Sequence, residues 1–388
     1  MVEGEVWIMA TKLFDGAKKQ KANEFYTQMF DIETEIKHYK RYFEGKTVLC
    51  NCDDPYESNF FKYFASHFND FKLKKLICTC YDGSPFSGEQ LDLFDLRPEA
   101  GTDNKKAYKV VITEVEDYNG DGAKDLADID YLIKNNHNTL TLLNENGDFR
   151  SDECIELLKE ADIVVTNPPF TLFREYIATL VEYKKDFIVI GNTNALTYKE
   201  IFKLFKEDKI RTGYTNFNVG MYFRVPDGYE CKKIINGQRL ARVSNSCWFT
   251  SLPVEKHNEM LTLWEKYNPV KYPKYINYDA INVNTFIEIP YDYDGLMGVP
   301  VTFLDKYNPE QFEIIALGIV GSIEFTSNRK MEILDKEGKP TGKYTMNAKG
   351  TLYRKWNPET DKKPAAFKDY ENGELYASMY ARVIIRRK

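Results

Sequence analysis

The stretch ADIVVTNPPF, residues 161–170, joins a short apolar run to an asparagine, two prolines and a phenylalanine. Its first part is typical of a buried strand, because Ile and Val favour the pleated conformation. Proline fixes its own φ angle and carries no N–H group, so Pro168 and Pro169 predict a rigid turn with unpaired acceptors at the carboxyl end of the strand. The alternative at this point is an ordinary turn.

Three groups of this turn, Asn167–Phe170 (the NPPF turn), suit a planar heterocycle that carries an exocyclic amino group. The side-chain oxygen of Asn167 and the carbonyl of Pro168 accept hydrogen bonds, and Phe170 offers a flat apolar face for stacking. Two acceptors also favour the tetrahedral geometry that frees the lone pair of an adenine amino group. The turn is therefore a candidate catalytic site for transfer to such an amino nitrogen.

Short apolar strands alternate with helical segments around this turn. Strands are predicted at 46–52, 75–81, 109–116, 161–166 and 186–192, and helices at 58–68, 125–135, 151–161 and 172–183. This alternation predicts an α/β fold with a mainly parallel sheet, whose ligands lie outside the carboxyl ends of the strands. The segments 220–226 and 245–252 are predicted to pair with each other and complete the sheet.

The composition is that of a globular protein with two domains. The chain has 388 residues, of which 43% are hydrophobic. The alternation stops near Pro253, which predicts domains at 1–252 and 253–388. The apolar stretch 314–323 is far shorter than the roughly 20 residues of a membrane span, no secretory signal is recognisable, and seven cysteines lack a disulfide spacing. We expect a cytoplasmic protein without a membrane partner.

Charge is distributed unevenly along the chain. The formal net charge is −6, yet residues 327–388 contain 15 Lys/Arg against 8 Asp/Glu, interleaved with aromatic side chains. A basic, aromatic-rich region can follow the phosphates of a nucleic acid even in an acidic chain. A solvated charged surface is the alternative.

The segment DYNGDGAKDLAD, residues 117–128, has the spacing of a calcium loop. The oxygen-bearing side chains fall at loop positions 1, 3, 5, 9 and 12, and Gly122 falls at position 6. These side chains are Asp117, Asn119, Asp121, Asp125 and Asp128. The last position carries Asp where such loops have Glu, so a structural Ca²⁺ site and a plain turn both remain open.

Several separated motifs together resemble the EcoRI-type adenine-specific DNA methyltransferases. They are EFYTQ (24–28), VLCNCDDPYESNF (48–60), GDFRSDE (147–153), EADIVVTNPPF (160–170) and DGLMGVPVTFLDKYNP (294–309). The resemblance covers nearly the whole chain. It implies a Rossmann-like sheet that binds S-adenosylmethionine, a C-terminal target-recognition module, and methyl transfer to a flipped-out adenine in double-stranded DNA. It also implies a monomer, a restriction-modification or orphan role, and a GAATTC-like site.

The resemblance assigns roles to individual residues. Asn167, Pro168, Pro169 and Phe170 are implied to be catalytic. The implied cofactor contacts are Phe25, Tyr26 and Thr27 at the methionine part, Asp54 and Pro55 at the ammonium group, Asp82 at the ribose, and Asp148 and Phe149 at the adenine.

Two departures from the family pattern affect the cofactor contacts. Glu57, Ser58 and Asn59 occupy the place of the usual glycine-rich turn, and Asp53 competes with Asp54 for the ammonium group. A methyltransferase acting on RNA or on a protein glutamine, N4-cytosine methylation, and an inactive DNA-binding relative remain alternatives. Cytosine C5 methylation is excluded, because that chemistry uses a cysteine after a proline and none of the seven cysteines follows one.

Overall fold

The structure is a computed structural model that describes residues 26–55, 58–81, 107–118, 120, 122, 124, 126–135, 140–225, 233–235 and 238–388. The chain divides into two compact units. The first unit comprises Met1–Ala195 with Ile210–Val254, and the second comprises Leu196–Lys209 with Glu255–Lys388. The α/β fold class predicted from the sequence is confirmed.

The first unit is built on an eight-stranded sheet. Its strands, in chain order, are β2 (Thr47–Cys50), β3 (Lys75–Thr79), β4 (Tyr108–Ile112), β5 (Leu140–Leu142), β6 (Ile163–Thr166), β7 (Asp186–Asn192), β8 (Arg211–Thr212) and β12 (Ser246–Thr250). The order across the sheet is β5-β4-β3-β2-β6-β7-β12-β8. The four central strands β3, β2, β6 and β7 are parallel, and antiparallel pairs extend the sheet on both sides. The sheet is therefore mixed rather than mainly parallel.

The strand order reverses direction between β2 and β6. The chain runs from β2 to β3 on one side, and later from β6 to β7 on the other side. In an open α/β sheet such a reversal leaves a crevice outside the carboxyl ends of the two strands, where ligands bind. We call the edge formed by the carboxyl ends of these four central strands the carboxyl edge.

The predicted pairing of 220–226 with 245–252 is wrong. A second sheet of this unit has the order β1-β9-β11-β10, with β1 (Tyr26–Thr27), β9 (Met221–Arg224), β10 (Lys233–Ile235) and β11 (Gln238–Val243). Strand β9 pairs with β1 and β11, whereas β12 pairs with β7 and β8. All five residues of β12 are buried, which favours a position inside the sheet, between β7 and β8. The local sequence pattern does not indicate this position.

Among the described residues of the first unit, five α-helices flank these strands, and two of them begin directly after a capping serine. The five helices are α1 (Met29–Ile36), α2 (Asn59–Ser66), α3 (Leu126–Asn135), α4 (Asp152–Glu160) and α5 (Phe173–Glu182). The Ser58 side chain accepts hydrogen bonds from the N–H groups of Phe60 and Phe61, and Ser151 caps α4 in the same way. Helix α2 then buries an aromatic face, including Phe60, Phe61 and Phe64, in the core that contains β2 and β3.

The second unit consists mainly of strands. One sheet has the order β13-β14-β21-β15, from Ile281–Asn282, Met297–Pro300, Arg382–Arg387 and Phe312–Leu317, respectively. The other has the order β17-β16-β19-β20-β18, from Pro340–Met346, Lys330–Leu334, Phe367–Asp369, Leu375–Met379 and Leu352–Lys355. Helix α6 (Lys199–Lys206) belongs to this unit, and the Nζ group of Lys206 donates to the Ile315 carbonyl of β15 at 2.7 Å.

Within the described part of the chain, no helix combines the length and apolar character needed to cross a membrane.

Candidate active site

The NPPF turn lies at the carboxyl edge, immediately after β6. Pro168 is buried, while Asn167 and Phe170 are half-buried. The N–H of Leu172 donates to the Pro169 carbonyl at 2.9 Å, which closes the turn and leads into α5. The turn therefore places the Asn167 carboxamide and the Phe170 ring in one short segment beside the crevice at the strand reversal.

A buried carboxylate connects this turn to the end of β2. Asp53 accepts hydrogen bonds from the Ser58 hydroxyl at 2.7 Å and, on its other oxygen, from the Thr166 hydroxyl. Thr166 is the last residue of β6 and directly precedes Asn167. The two strands that border the crevice are thus joined by one side chain, and Ser58 extends the connection to the start of α2.

Burial raises the pKa of Asp53 to about 6, although the hydrogen bonds from Thr166 and Ser58 act to lower it. The nearby Asp54 charge raises it further. A low-dielectric environment penalises the charged form of a carboxyl group, and here that effect exceeds the effect of two donors. Asp53 is therefore protonated more readily than an ordinary aspartate.

Asp54 is buried beside it and has a different partner. The Tyr108 hydroxyl donates to its carboxylate at 3.1 Å, and the Asp54 carbonyl accepts the Ser58 N–H at 2.7 Å. Tyr108 opens β4, which runs antiparallel to β3, so it lies at the carboxyl edge. Asp54 and its neighbour Pro55, which is also buried, therefore lie between the ends of β2 and β3.

Strand β1 brings the segment before α1 to the same place. The Thr27 carbonyl accepts a hydrogen bond from the Asn59 side chain at 2.7 Å, and the backbone of Thr27 pairs with Phe223 of β9. Phe223 in turn contacts the ring of Phe170 edge-to-face, with 6.4 Å between the ring centroids. Contacts thus run from the NPPF turn through Phe223 and Thr27 to the start of α2.

The loop after β5 approaches the carboxyl edge from the other side. Gly147 has a φ angle of +74°, and a Cβ atom there would lie 2.2 Å from the Cys80 carbonyl oxygen, just beyond β3. The next residue, Asp148, binds the Arg150 guanidinium through both carboxylate oxygens, at 2.8 and 2.6 Å. These hydrogen bonds lower the pKa of Asp148, so it stays ionised and has further lone pairs for an amino group.

Phe149 is buried and connects this loop to the turn. Its ring meets Tyr176 of α5 edge-to-face, with 5.0 Å between centroids. The Tyr176 hydroxyl donates to the side chain of Asn51, which follows β2. Helix α5, which begins three residues after the NPPF turn, thus contacts Phe149 and the residue that follows β2.

The structure brings many of the sequence-predicted residues to one edge of the sheet, and two of them are not among the described residues. Phe25 and Asp82 lie outside the described residues, and Tyr26 is described only through its backbone pairing with Arg224. Five further residues make contacts at this edge that were not predicted from the sequence: Asn51, Tyr108, Arg150, Thr166 and Tyr176. Ser58 had a recognisable signal, since a serine before an apolar helical run is a capping residue.

The described part of the 117–128 loop does not support a calcium site. The Asp117 carboxylate accepts the N–H groups of Gly120 and Gly122 at 2.7 and 2.9 Å, and buried Asp128 accepts the Tyr118 N–H at 2.7 Å. Asn119, Asp121 and Asp125 lie outside the described residues. Among the residues that are described, no group of three or more acidic, histidine or cysteine side chains could hold a metal ion.

Comparisons with known proteins show the family of the chain. The family model for the adenine-specific methyltransferase EcoRI matches residues 13–388. The chain is 45% identical over 313 residues to the Type II methyltransferase M.EcoRI of Escherichia coli, a match that covers 78% of this chain and 88% of that protein.

Two mycoplasma proteins are also similar over most of the chain. The chain is 39% identical over 311 residues to the Type II methyltransferases M.MgeORF184P of Mycoplasma genitalium and M.MpnI of Mycoplasma pneumoniae. The matches cover 78% of this chain and 85% and 84% of those proteins, respectively. No solved structure matches the chain significantly. The family match over nearly the whole length, together with these identities, shows that this chain belongs to the EcoRI family of adenine-specific methyltransferases.

Proposed function

We propose that this protein transfers a methyl group from S-adenosylmethionine to the N6 amino group of an adenine that is flipped out of double-stranded DNA. The observation that carries the proposal is the position of the NPPF turn, at the carboxyl edge beside the strand reversal and in contact with Phe223. Membership of a methyltransferase family implies the cofactor. The Type II names of the relatives support DNA as the substrate and a restriction-modification role.

The residues at the carboxyl edge fit this cofactor. The Thr27 hydroxyl oxygen is buried and has no hydrogen-bond partner among the described residues, so a ligand polar group can satisfy it. We assign the ammonium group to Asp54, because both oxygens of Asp53 already accept hydroxyl groups. Asp148 and Phe149 are assigned to the adenine amino group and ring face, and Asp82 to the ribose.

When bound, the cofactor would supply an electrophilic methyl group on its sulfonium centre; transfer to the adenine amino nitrogen would leave a neutral thioether, and that nitrogen would lose one proton to solvent. The protein residues position the nucleophile. Asn167 and the Pro168 carbonyl accept the two amino hydrogens, which favours a tetrahedral nitrogen. Phe170 stacks on the extruded base and replaces part of the stacking that the base loses.

We assign a Rossmann-like catalytic domain to residues 1–252 and target recognition to 253–388. The excess of Lys/Arg over Asp/Glu in 327–388 supports the second assignment. Helix α6 falls within 1–252 in the sequence yet belongs to the second unit, so we extend the proposed recognition region to include 196–209. We expect a monomer, and a GAATTC-like site is a hypothesis from the family.

Methyl transfer from radiolabelled S-adenosylmethionine tests the function. The full chain is incubated separately with duplex DNA, structured RNA and a protein mixture, and the DNA is digested to nucleosides for mass spectrometry. We expect N6-methyladenine in duplex DNA only. N4-methylcytosine in the DNA would indicate a cytosine methyltransferase, and label in RNA or protein would indicate a different substrate class. DNA binding without any methyl transfer would indicate an inactive relative. Single-molecule sequencing of methylated DNA then identifies the site.

A further inference from the structure

The five arginines of the second unit differ in whether they have an acidic partner. Four of them form ion pairs with carboxylates: Arg329 with Asp369, Arg354 with Asp361, Arg386 with Glu313 and Arg387 with Asp294. Arg382, the first residue of β21, has no carboxylate partner among the described residues. Its Nη2 group lies 3.5 Å from the Met379 sulfur, which is a weak acceptor.

The surroundings of Arg382 make a missing partner costly. Side chains two apart on a strand share a face, so Arg382 lies on the face of Ile384, which belongs to an apolar cluster with Tyr275 and Leu352. The Nε atom of Arg382 is buried and has no hydrogen-bond partner in the described structure. Burial lowers the pKa of this arginine, and the charge of Arg354 lowers it further. A largely buried cation without an acidic partner is destabilising, so an anion that pairs with it would stabilise the fold.

The turn before Arg382 is exposed and strained. Tyr380 is 69% exposed at the tip between β20 and β21. Ala381 has a φ angle of +51°, a left-handed conformation that is unfavourable for a non-glycine residue. Such strain persists where the surrounding structure requires it, often at ligand sites. The turn therefore presents an aromatic side chain next to the partly exposed arginine.

We propose that Arg382 binds a backbone phosphate of the DNA duplex, with Tyr380 beside the same strand. The proposal rests on the DNA-methyltransferase function proposed above. A guanidinium presents a planar fork of N–H donors that matches two phosphate oxygens. A recessed guanidinium suits a phosphate, which protrudes from the duplex. A base edge lies inside a groove and needs a side chain that projects into it.

The test compares Arg382→Met with Arg386→Met in the full chain. Arg386 lies on the same face of β21, four residues away, but is paired with Glu313 at 2.6 Å. Dissociation constants are measured by fluorescence anisotropy at several salt concentrations, for a duplex with GAATTC and one with that site scrambled. Arg382→Met should weaken both duplexes by a similar factor, about tenfold, and reduce the slope of log K against log salt by about 1. Arg386→Met should change neither by more than about twofold.

Melting temperatures separate this role from a structural one. Without DNA, Arg382→Met should melt at or above the wild-type temperature, because an unpaired cation has been removed. Arg382→Lys keeps the positive charge, so the slope of log K against log salt should stay at the wild-type value. This variant provides a test even if Arg382→Met does not fold. Three results for Arg382→Met would each overturn the phosphate assignment. They are an unchanged affinity for both duplexes, a loss of affinity confined to the GAATTC duplex, and a lowered melting temperature. Because the assay measures binding, it is separate from the methyl-transfer test of the function.

Discussion

At the scale of single residues, two side chains at the carboxyl edge have separable roles. Asn167 lies in the turn that is assigned to the reacting amino group. Asp53 lies behind it, bonded to Thr166 and Ser58. We therefore expect substitutions of Asn167 to affect catalysis and substitutions of Asp53 to affect mainly stability.

Asn167→Ala should lower kcat at least about a hundredfold, the scale of losing one well-placed polar group at a reacting centre. The interaction strengthens as the nitrogen becomes tetrahedral, so the dissociation constants for DNA and cofactor should change only a few-fold. Single-turnover methylation and anisotropy measure these quantities, and 2-aminopurine fluorescence reports flipping separately. Phe170→Tyr keeps a stacking ring and should retain much of the activity. A near wild-type kcat for Asn167→Ala would show that the NPPF turn has no catalytic role.

Asp53→Asn should change how stability depends on pH. With its pKa raised to about 6, native Asp53 binds a proton that the unfolded chain has released above about pH 4, so its contribution to the unfolding free energy falls as pH rises from about 4 to about 6. Two pKa units correspond to roughly 3 kcal/mol. Asparagine cannot titrate, and it can still accept one hydroxyl and donate to the other.

Urea unfolding of wild type and Asp53→Asn between about pH 4.5 and 7.5 measures this effect. The variant should gain about 1–3 kcal/mol relative to wild type across the range. If the unfolding free energies of the two proteins change in parallel with pH, the assigned pKa is contradicted. Other titrating groups contribute equally to both curves and do not affect this comparison.

At the scale of elements, the loop after β5 depends on one close backbone approach. Gly147 allows this loop to touch the end of β3, which places Asp148 and Phe149 beside the carboxyl edge. The chain contains a matched comparison. Gly45 has a φ angle of +71°, close to that of Gly147, but a Cβ atom there would meet nothing within 4 Å.

Gly147→Ala should weaken cofactor binding by about tenfold or more, because the added methyl group clashes with the Cys80 carbonyl and displaces the loop. Gly45→Ala carries the same left-handed strain, about 1 kcal/mol, without the clash. Its cofactor affinity should stay within about twofold of wild type. Isothermal titration with S-adenosylmethionine measures both variants. Equal effects of the two substitutions would show that strain, not contact with β3, controls the loop.

At the scale of the whole molecule, charge separates one region from the rest. The net charge of 327–388 is +7, from 15 minus 8, so the remaining residues carry −13 to give the total of −6. Duplex affinity should therefore fall steeply with salt and depend on this basic region. Because 196–209 belong to the second unit, a chain cut after Leu252 would separate α6 from β15. Charge substitutions in the full chain are the cleaner test.

Lys362→Gln/Lys363→Gln should weaken duplex binding and reduce the slope of log K against log salt by about 1 to 2. Both lysines are exposed in the second unit. The control is Lys37→Gln/Lys74→Gln, which removes two exposed lysines of the first unit and should leave the slope unchanged. Identical slopes in the two double variants would place the phosphate contacts elsewhere.

The sequence alone determined the features that depend on neighbours along the chain. Strand β7 covers the predicted residues 186–192, and α2 begins directly after its capping Ser58. The NPPF turn follows a buried strand as predicted. Strand-forming residues, helix caps and proline act over a few residues, so their effects can be recognised in the amino-acid sequence. The family was recognisable for a related reason, because its motifs are short and contiguous.

Only the tertiary structure decided which distant residues meet. Asp53 and Thr166 are 113 residues apart. Phe170, in the turn after β6, meets Phe223, which belongs to β9 of the other sheet of the first unit. Strands β9 and β12 have similar local patterns, yet only β12 joins the central sheet. Strand pairing is determined by burial and register summed over many non-local contacts, and no local pattern encodes that sum. The carboxylate behind the NPPF turn and the arginine of β21 without an acidic partner were for this reason visible only in the folded chain.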